Sequence, residues 1–443
     1  MSSFINWVLV NIRKKGFKKY SKNTFWIFLQ KILRVISGLL VGLWVVRYLG
    51  PERFGILSYS QSLVALFLSI SALGLGEEIL VKEILNSKKS ISIIIGTSIS
   101  LRIIGAITMI LIIIGYMFFS NNEIFINTII IIIAASSIFE SFTSNINYYF
   151  QSKVENKILL KADILSLLIS AFLKILLILN GASLIYFALI ILIDSMILAS
   201  ILLYSFFKNS KSNLSDLSFD KKLSYKLINS SWPLIFGGML TSIYMKIDQV
   251  MIKELIGTEE VGVYAVAIKL TELCYILPGV ITSSLLPAII NSKKINENLY
   301  IKRLQSLYGF LLFIAIFISL IMNFFSEFII KIFFGNEYLS SIQILKIYAW
   351  NSIFVFIGIV SSKWLIIENL QVYLTINVFF GAIINVILNY LLIDKIGLVG
   401  AAWASLISQF VSSYLMLLFW NKTRPNFKYI TFSPLKMLKL NDK

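Results

Sequence analysis

Charged side chains lie inside segments of this 443-residue chain that are otherwise apolar. A charge that faces lipid is costly, so charges within membrane segments usually face a bundle interior or a water-filled cavity. These residues are therefore the first candidates for chemistry. The basic ones are Lys31, Arg34, Arg102, Lys174, Lys246, Lys269 and Lys346, and the acidic ones considered below are Glu140, Asp163, Asp194, Asp248 and Glu272.

The residue types that are missing narrow this chemistry. The chain has no histidine, which excludes histidine metal sites and histidine proton relays. Its one cysteine, Cys274, excludes an internal disulfide. The Gly-rich stretches lie at helix junctions, and the sequence contains no phosphate-binding glycine loop, metal cluster or nucleophile-base pair. The sequence predicts no enzyme, and a titrating group inside the membrane would be a carboxylate or, less readily, a lysine.

The composition predicts an all-α integral membrane protein. Hydrophobic residues make up 58% of the chain and charged residues 14%, with a mean hydropathy of +0.85. The net charge is +18, and most of the basic residues lie in the gaps between apolar runs. Membrane topology accounts for this distribution, so it gives no reason to expect a nucleic acid partner. The runs predict twelve transmembrane helices, at 25–46, 56–76, 91–119, 124–150, 158–179, 183–207, 229–252, 261–289, 304–330, 342–366, 372–393 and 398–420.

A weak repeat divides these helices into two sets of six. The stretch Leu49–Leu63 returns 207 positions later as Ile256–Leu270, and the longest polar gap falls between the two sets. The predicted regions are a basic N-terminal segment (1–24), a first six-helix lobe (25–207), a linker (208–228), a second six-helix lobe (229–420) and a basic tail (421–443). The identical pairs are Gly50/Gly257, Glu52/Glu259, Gly55/Gly262 and Leu63/Leu270.

The distribution of Lys and Arg predicts the orientation. With the N-terminus inside, the cytoplasmic loops and tails collect 28 of these residues, and the outer loops hold five. Positive charge accumulates on the cytoplasmic side of membrane proteins. We therefore expect both termini and the linker to be cytoplasmic.

Three motifs carry a family resemblance across most of the chain. They are RYLGPERFG after the first span, SWPLIFGGMLTSIYMKIDQVMIKELIG at the seventh, and NVILNYLLIDKIGLVGAAWASLIS across the last two. Together they resemble the polysaccharide flippase (Wzx-type) branch of the multidrug/oligosaccharidyl-lipid/polysaccharide exporter superfamily.

This resemblance implies two lobes around a central cavity and alternating access. It further implies transfer of an undecaprenyl-pyrophosphate-linked oligosaccharide, an O-antigen or capsule-type repeat unit, to the outer leaflet of the bacterial cytoplasmic membrane. The partners it implies are that glycan, membrane lipids, a polysaccharide polymerase and a chain-length regulator.

A cargo with a pyrophosphate needs buried cations. Arg34 is the first choice, because a guanidinium can hold phosphate oxygens in a bidentate way. Lys246, Lys269 and Lys174 are the other predicted substrate-binding residues. Alternatively, Arg34 and Lys31 reach back to the cytoplasmic headgroups, Lys269 and Glu272 neutralise each other, and Lys174 pairs with a carboxylate of a neighbouring helix.

Coupling to a proton or sodium gradient would need polar or acidic groups, and no other cofactor is expected. Asp248 is the main candidate, and Glu140 begins a polar stripe on the fourth span. The remaining candidates for coupling or for lining a polar cavity are Asp163, Asp194, Glu272 and Asn147.

Two other functions remain open. A cation-coupled drug antiporter of the same superfamily would use the membrane carboxylates and would need few buried cations. A non-transporting scaffold of a glycan assembly complex would need no intramembrane charge at all.

Overall fold

The computed structural model describes residues 15–210 and 213–433, except the side chains of 15–25, 27, 28, 31, 35, 36 and 39. The described part is helical throughout, with short connecting turns. Ten of its helical segments are long and apolar enough to cross a membrane. The all-α membrane class is therefore confirmed, while the count of twelve spans and the cytoplasmic termini stay predictions.

The chain divides into two compact units. Of the described residues, those within 1–48 and 64–239 form unit 1, and those within 49–63 and 240–443 form unit 2. Two long helices therefore contribute to both units. The helices up to residue 210 are α1 (Lys15–Ala72), α2 (Glu77–Asn86), α3 (Ile91–Phe119), α4 (Ile124–Ser152), α5 (Asn156–Leu179) and α6 (Leu184–Ser210).

The second half of the chain has more breaks than the first. The helices are α7 (Lys221–Leu255), α8 (Thr258–Cys274), α9 (Ile276–Ile295), α10 (Glu297–Phe324), α11 (Ser326–Phe333), α12 (Ser341–Tyr348), α13 (Asn351–Ile367), α14 (Gln371–Ile396), α15 (Leu398–Phe410), α16 (Met416–Phe419) and α17 (Arg424–Thr431). A π-helical turn, Val411–Leu415, connects α15 to α16.

Local sequence explains two of the breaks. Gly50 interrupts α1 with φ 68° and ψ 174°, a conformation that side chains with a Cβ rarely adopt, and Pro51 follows it. The predicted eighth span, 261–289, is divided at Tyr275 between α8 and α9. Pro278 lies in the first turn of α9, where its missing N–H costs no helical hydrogen bond.

Each unit has its own apolar core. In unit 1 the aromatic rings of Tyr149, Phe150 and Phe206 pack together between α4 and α6. In unit 2 the cluster around Tyr308 and Phe356 joins α10, α13 and α17. These cores fix the helices that carry the charged side chains described next.

Candidate functional sites

Arg34 on α1 forms an ion pair inside unit 1. Its Nη2 lies 3.0 Å from Oδ1 of Asp163 on α5, and Gln30 donates to the other carboxylate oxygen. The Asp163 side chain is 5% exposed and that of Arg34 is 60% exposed. Asp163 therefore orients the guanidinium and leaves several of its N–H groups accessible. The side chain of Lys31 lies outside the described residues.

Glu140 and Arg102 occupy different environments in unit 1. Glu140 on α4 is exposed and lies within electrostatic reach of Arg102 and Arg34. Arg102 is 5% exposed, donates to the backbone carbonyl of Leu75 and stands 5.6 Å from the centre of the Tyr148 ring. Arg102 thus ties α3 to the turn between α1 and α2, which is a structural role.

Lys174 and Asp194 form the second charged group of unit 1. Both are half-buried, and the Asp194 carboxylate acts electrostatically on the Lys174 ammonium. The Ser166 hydroxyl donates to Asp194 Oδ1 at 2.5 Å. Of the acidic residues that the sequence offered to Lys174, Asp194 on α6 is the one that acts on it. Asn147 is half-buried on the same helix as Glu140.

In unit 2, Lys246 on α7 pairs with Glu272 on α8. Their Nζ and Oε1 atoms are 3.1 Å apart, and both side chains are about one third exposed or less, at 27% and 32%. Glu272 therefore pairs with a different helix rather than with Lys269, one turn away on its own helix. The Lys269 ammonium lies 5.6 Å from the centre of the Phe54 ring, a distance typical of a cation–π contact.

Asp248 is the centre of a buried polar network in unit 2. It is 4% exposed and accepts hydrogen bonds from Tyr264 (2.9 Å), Asn389 (2.6 Å) and Ser405. Its described partners are uncharged, and they come from α8, α14 and α15. Both oxygens of the Asp248 carboxylate therefore accept hydrogen bonds inside the membrane protein, and none of these described donors is basic.

Two asparagines of the motif NVILNYLLIDKIGLVGAAWASLIS belong to this network. Asn385 and Asn389 lie one turn apart on α14, and the structure joins them by a 3.2 Å hydrogen bond. Tyr264 and Ser405 were missed, because single aromatic and hydroxyl residues inside apolar helices carry no local signal. The small residues Gly400, Ala401, Ala402 and Ala404 predict close packing of the last helix, and they are the nearest signal for Ser405.

Helices of this length with charges held inside them define a multi-pass membrane protein. The fold is similar to an inward-facing multidrug resistance MATE family transporter of the MOP superfamily, with TM-score 0.74, 15% identity, and coverage of 89% of this chain and 94% of that one. It is also similar to the lipid II flippase MurJ in an inward closed conformation, with TM-score 0.69, 19% identity, and coverage of 95% and 93%.

Sequence comparison narrows the class. Residues 20–293 match the family described as "Polysaccharide biosynthesis protein", and residues 233–391 match the family MatE. The chain is 25% identical over 401 residues to capsular polysaccharide biosynthesis protein CapF of Staphylococcus aureus, covering 88% of this chain and 96% of CapF. The chain belongs to the polysaccharide biosynthesis protein family, which confirms the resemblance found in its sequence motifs.

Proposed function

We propose that this protein carries an undecaprenyl-pyrophosphate-linked oligosaccharide from the inner to the outer leaflet of the bacterial cytoplasmic membrane by alternating access. The observation that carries the proposal is the family match over residues 20–293. The similarity to CapF, a capsular polysaccharide biosynthesis protein, supports a role in making a capsule or an O-antigen. A polysaccharide polymerase and a chain-length regulator are the partners expected for such a carrier.

In this proposal Arg34 binds the pyrophosphate. Asp163 occupies one edge of its guanidinium, and the exposed N–H groups remain for phosphate oxygens. Gln30 shares Asp163 with Arg34, so the carboxylate keeps a hydrogen bond when the arginine turns toward an anion. Arg34 is thus positioned before the cargo arrives, which reduces the conformational entropy lost on binding.

Lys174, Lys246 and Lys269 are proposed as further cargo-binding cations. Lys246 is already paired with Glu272, and Lys174 is under the influence of Asp194. An anionic cargo therefore has to compete with a carboxylate at each of these two lysines. We assign them weaker contributions than Arg34, whose guanidinium can serve its carboxylate and a phosphate together.

Asp248 is the proposed coupling group. A proton or a sodium ion arriving at this carboxylate would replace part of the stabilisation that Tyr264, Asn389 and Ser405 supply. Because the network joins three helices to α7, a change at Asp248 alters packing between them. Glu140, which is exposed, is proposed as a secondary titrating group.

A second candidate function is cation-coupled export of a drug or another small molecule. The MatE match over residues 233–391 and the fold shared with MATE transporters favour it. The two functions differ in cargo charge, because a drug antiporter has no use for Arg34 as an anion-binding group. A scaffold without transport activity differs from both in moving nothing.

Purified protein in liposomes tests the proposal. A fluorescent undecaprenyl-pyrophosphate-linked oligosaccharide is placed in one leaflet, and its appearance in the other is followed by its accessibility to a membrane-impermeant quencher. We expect transfer well above that of empty liposomes. A lipophilic cation such as ethidium, followed in the same liposomes under proton and sodium gradients, serves as the competing cargo. Ethidium transport without glycan transfer would favour the antiporter, and transport of neither would favour the scaffold.

A further inference from the structure

Unit 2 contains a half-enclosed pocket beside the Asp248 network, with which it shares Ser405. Its volume is about 340 Å³, within the range of roughly 300–1,000 Å³ that is usual for small-ligand sites. Helices α7, α8, α13, α14 and α15 and the π-helical turn contribute to its wall. Its lining includes the polar side chains of Tyr244, Glu272, Tyr275, Asn351, Asn377 and Gln409.

Two lining side chains hold buried acceptors without a partner. Asn351 and Asn377 are each 3% exposed, and neither Oδ1 atom has a hydrogen-bond partner in the part of the chain that the structure describes. An unsatisfied buried polar atom destabilises the folded protein, so a ligand that donates hydrogen bonds would be favoured here.

The side chains that line the pocket favour a neutral ligand over an anion. Glu272 is the acidic residue of the lining, and Lys246 neutralises it at 3.1 Å. None of the described residues that line the pocket is basic. A pyrophosphate would meet acceptor oxygens and a carboxylate, so the pocket suits an uncharged ligand rich in donors.

Two hydrogen bonds hold Gln409 in the pocket wall. Gln409 donates to Ser413 Oγ at 2.6 Å and accepts a hydrogen bond from the Tyr244 hydroxyl. Ser413 belongs to the π-helical turn Val411–Leu415, and such turns frequently occur at functional sites. Both the oxygen and the nitrogen of the Gln409 amide are thus hydrogen-bonded. The tyrosines add apolar rings that end in polar hydroxyl groups to the wall.

We propose that this pocket is a subsite for one neutral sugar unit. The proposal rests on the proposed function, in that the sugar is part of the glycan of the cargo. Hydroxyl groups of the sugar donate to Oδ1 of Asn351 and Asn377, and the less polar faces of the ring lie against Tyr244 and Tyr275. The pocket recognises the neutral part of a molecule whose anionic part binds elsewhere.

Saturation-transfer NMR tests the subsite, because it detects binding of single sugars at millimolar affinity. The protein is studied in lipid nanodiscs, which avoids sugar-bearing detergents, with methyl glycosides of glucose, galactose and N-acetylglucosamine as probes. Asn351→Leu and Asn377→Leu remove the two acceptors and keep the number and branching of the side-chain heavy atoms. Asn145→Leu is the matched control, since Asn145 in unit 1 is also buried with an unpartnered Oδ1.

We expect wild type and Asn145→Leu to bind at least one glycoside, and both pocket variants to bind it at least tenfold more weakly. Their thermal midpoints should be unchanged or raised, because each variant loses an unsatisfied acceptor. If a leucine variant does not fold, Asn377→Ala replaces it, because alanine removes the acceptor without adding bulk. The same loss of glycoside binding is expected. Absence of any glycoside signal in wild type, or equal binding in wild type and the pocket variants, overturns the subsite.

The liposome assay separates this result from the proposed function. Wild type that transfers the lipid-linked glycan but binds no glycoside overturns the sugar subsite alone. Wild type that binds glycosides through Asn351 and Asn377 but transfers no lipid-linked glycan supports the subsite and overturns the proposed cargo. Sodium binding is measured by the broadening of the ²³Na NMR line. If wild type broadens this line, Asn351→Leu does not, and no glycoside binds, the sugar assignment is overturned.

Discussion

Gly55 and Gly262 hold equivalent positions in the two copies of the sequence repeat, and they pack against each other's helices inside unit 2. A Cβ on Gly55 would lie 1.7 Å from the carbonyl oxygen of Thr258, and a Cβ on Gly262 would lie 2.0 Å from that of Pro51. The offset of 207 residues also relates Pro51 to Thr258. Each contact is therefore the image of the other, as expected where two homologous helices cross.

Gly55→Ala and Gly262→Ala should each lower the amount of folded protein in the membrane. The added methyl meets backbone atoms, which cannot move aside as a side chain can, and overpacking of this kind costs about 1–3 kcal/mol or more. Fluorescence-detected size exclusion and thermal midpoints measure the effect. Gly115→Ala is the control, because nothing lies within 4 Å of a Cβ at that position. Normal yield and stability in both variants would contradict the close crossing.

Arg34→Ala should reduce glycan transfer about tenfold or more while leaving the protein level nearly unchanged. A hydrogen bond to a charged group is worth about 1.5–3 kcal/mol, and the arginine is proposed to make more than one to the pyrophosphate. Arg34→Lys should recover only part of the activity, because an ammonium cannot form the bidentate contact. Initial rates in the liposome assay give the measurement.

The control for this series is Arg303→Ala. Arg303 is an exposed arginine that donates to the carbonyl of Ala288. Its loss should leave transfer near the wild-type rate. Full activity in Arg34→Ala would mean that Arg34 only reaches toward the headgroups and that the pyrophosphate is bound by other residues.

Asp248→Asn should abolish the response of transfer to an imposed proton or sodium gradient. An amide keeps the size of the carboxylate but cannot bind a proton or hold a cation by charge. Transfer rates with and without each gradient, measured in the same liposomes, identify the ion. Tyr264→Phe removes one donor and keeps the charge, so it should retain the response. If Asp248→Asn responds to gradients as wild type does, the coupling group lies elsewhere.

The segment before α7 should respond to pH through Asp220. Hydrogen bonds from the Lys89 ammonium, and next from the Leu223 N–H at 2.7 Å, lower the pKa of Asp220 below its ordinary value of 3.8. Because the pKa is lowered in the folded protein, the stabilisation is present above about pH 3.8 and is lost as the pH falls through the lowered value.

Variants of Asp220 separate its charge from its capping role. Asp220→Asn keeps a side-chain acceptor for the first turn of α7 and loses the ion pair, whereas Asp220→Ala loses both. Hydrogen exchange of residues 213–224, corrected for the intrinsic rate, should rise in the order wild type, Asn, Ala at neutral pH. Wild type should approach the Asn variant in acid. Equal exchange in all three proteins would show that Asp220 does not hold this segment.

Reporter fusions test the predicted orientation. A fusion at Ser210 and one at Leu440, which lies outside the described residues, should read cytoplasmic, and a fusion at Asn122 should read external. The expectation rests on the 28-to-five division of Lys and Arg between the two sides. A cytoplasmic signal at Asn122 would overturn the assignment of the spans.

The sequence by itself determined the class, the family and several of the breaks. Hydropathy is a property of each segment, so the apolar runs identify membrane helices without knowledge of their neighbours. Gly50 followed by Pro51 interrupts a helix for equally local reasons. The four-residue spacing of Asn385 and Asn389 placed them on one face, where the structure finds them bonded.

Only the tertiary structure decided which charges meet. Arg34 and Asp163 are 129 residues apart, and Glu272 pairs with Lys246 rather than with Lys269 on its own helix. Tyr264 and Ser405 reach Asp248 from two further helices. Such pairings depend on the depth and rotation of each helix, which are set by packing against its neighbours rather than by the composition of the helix itself.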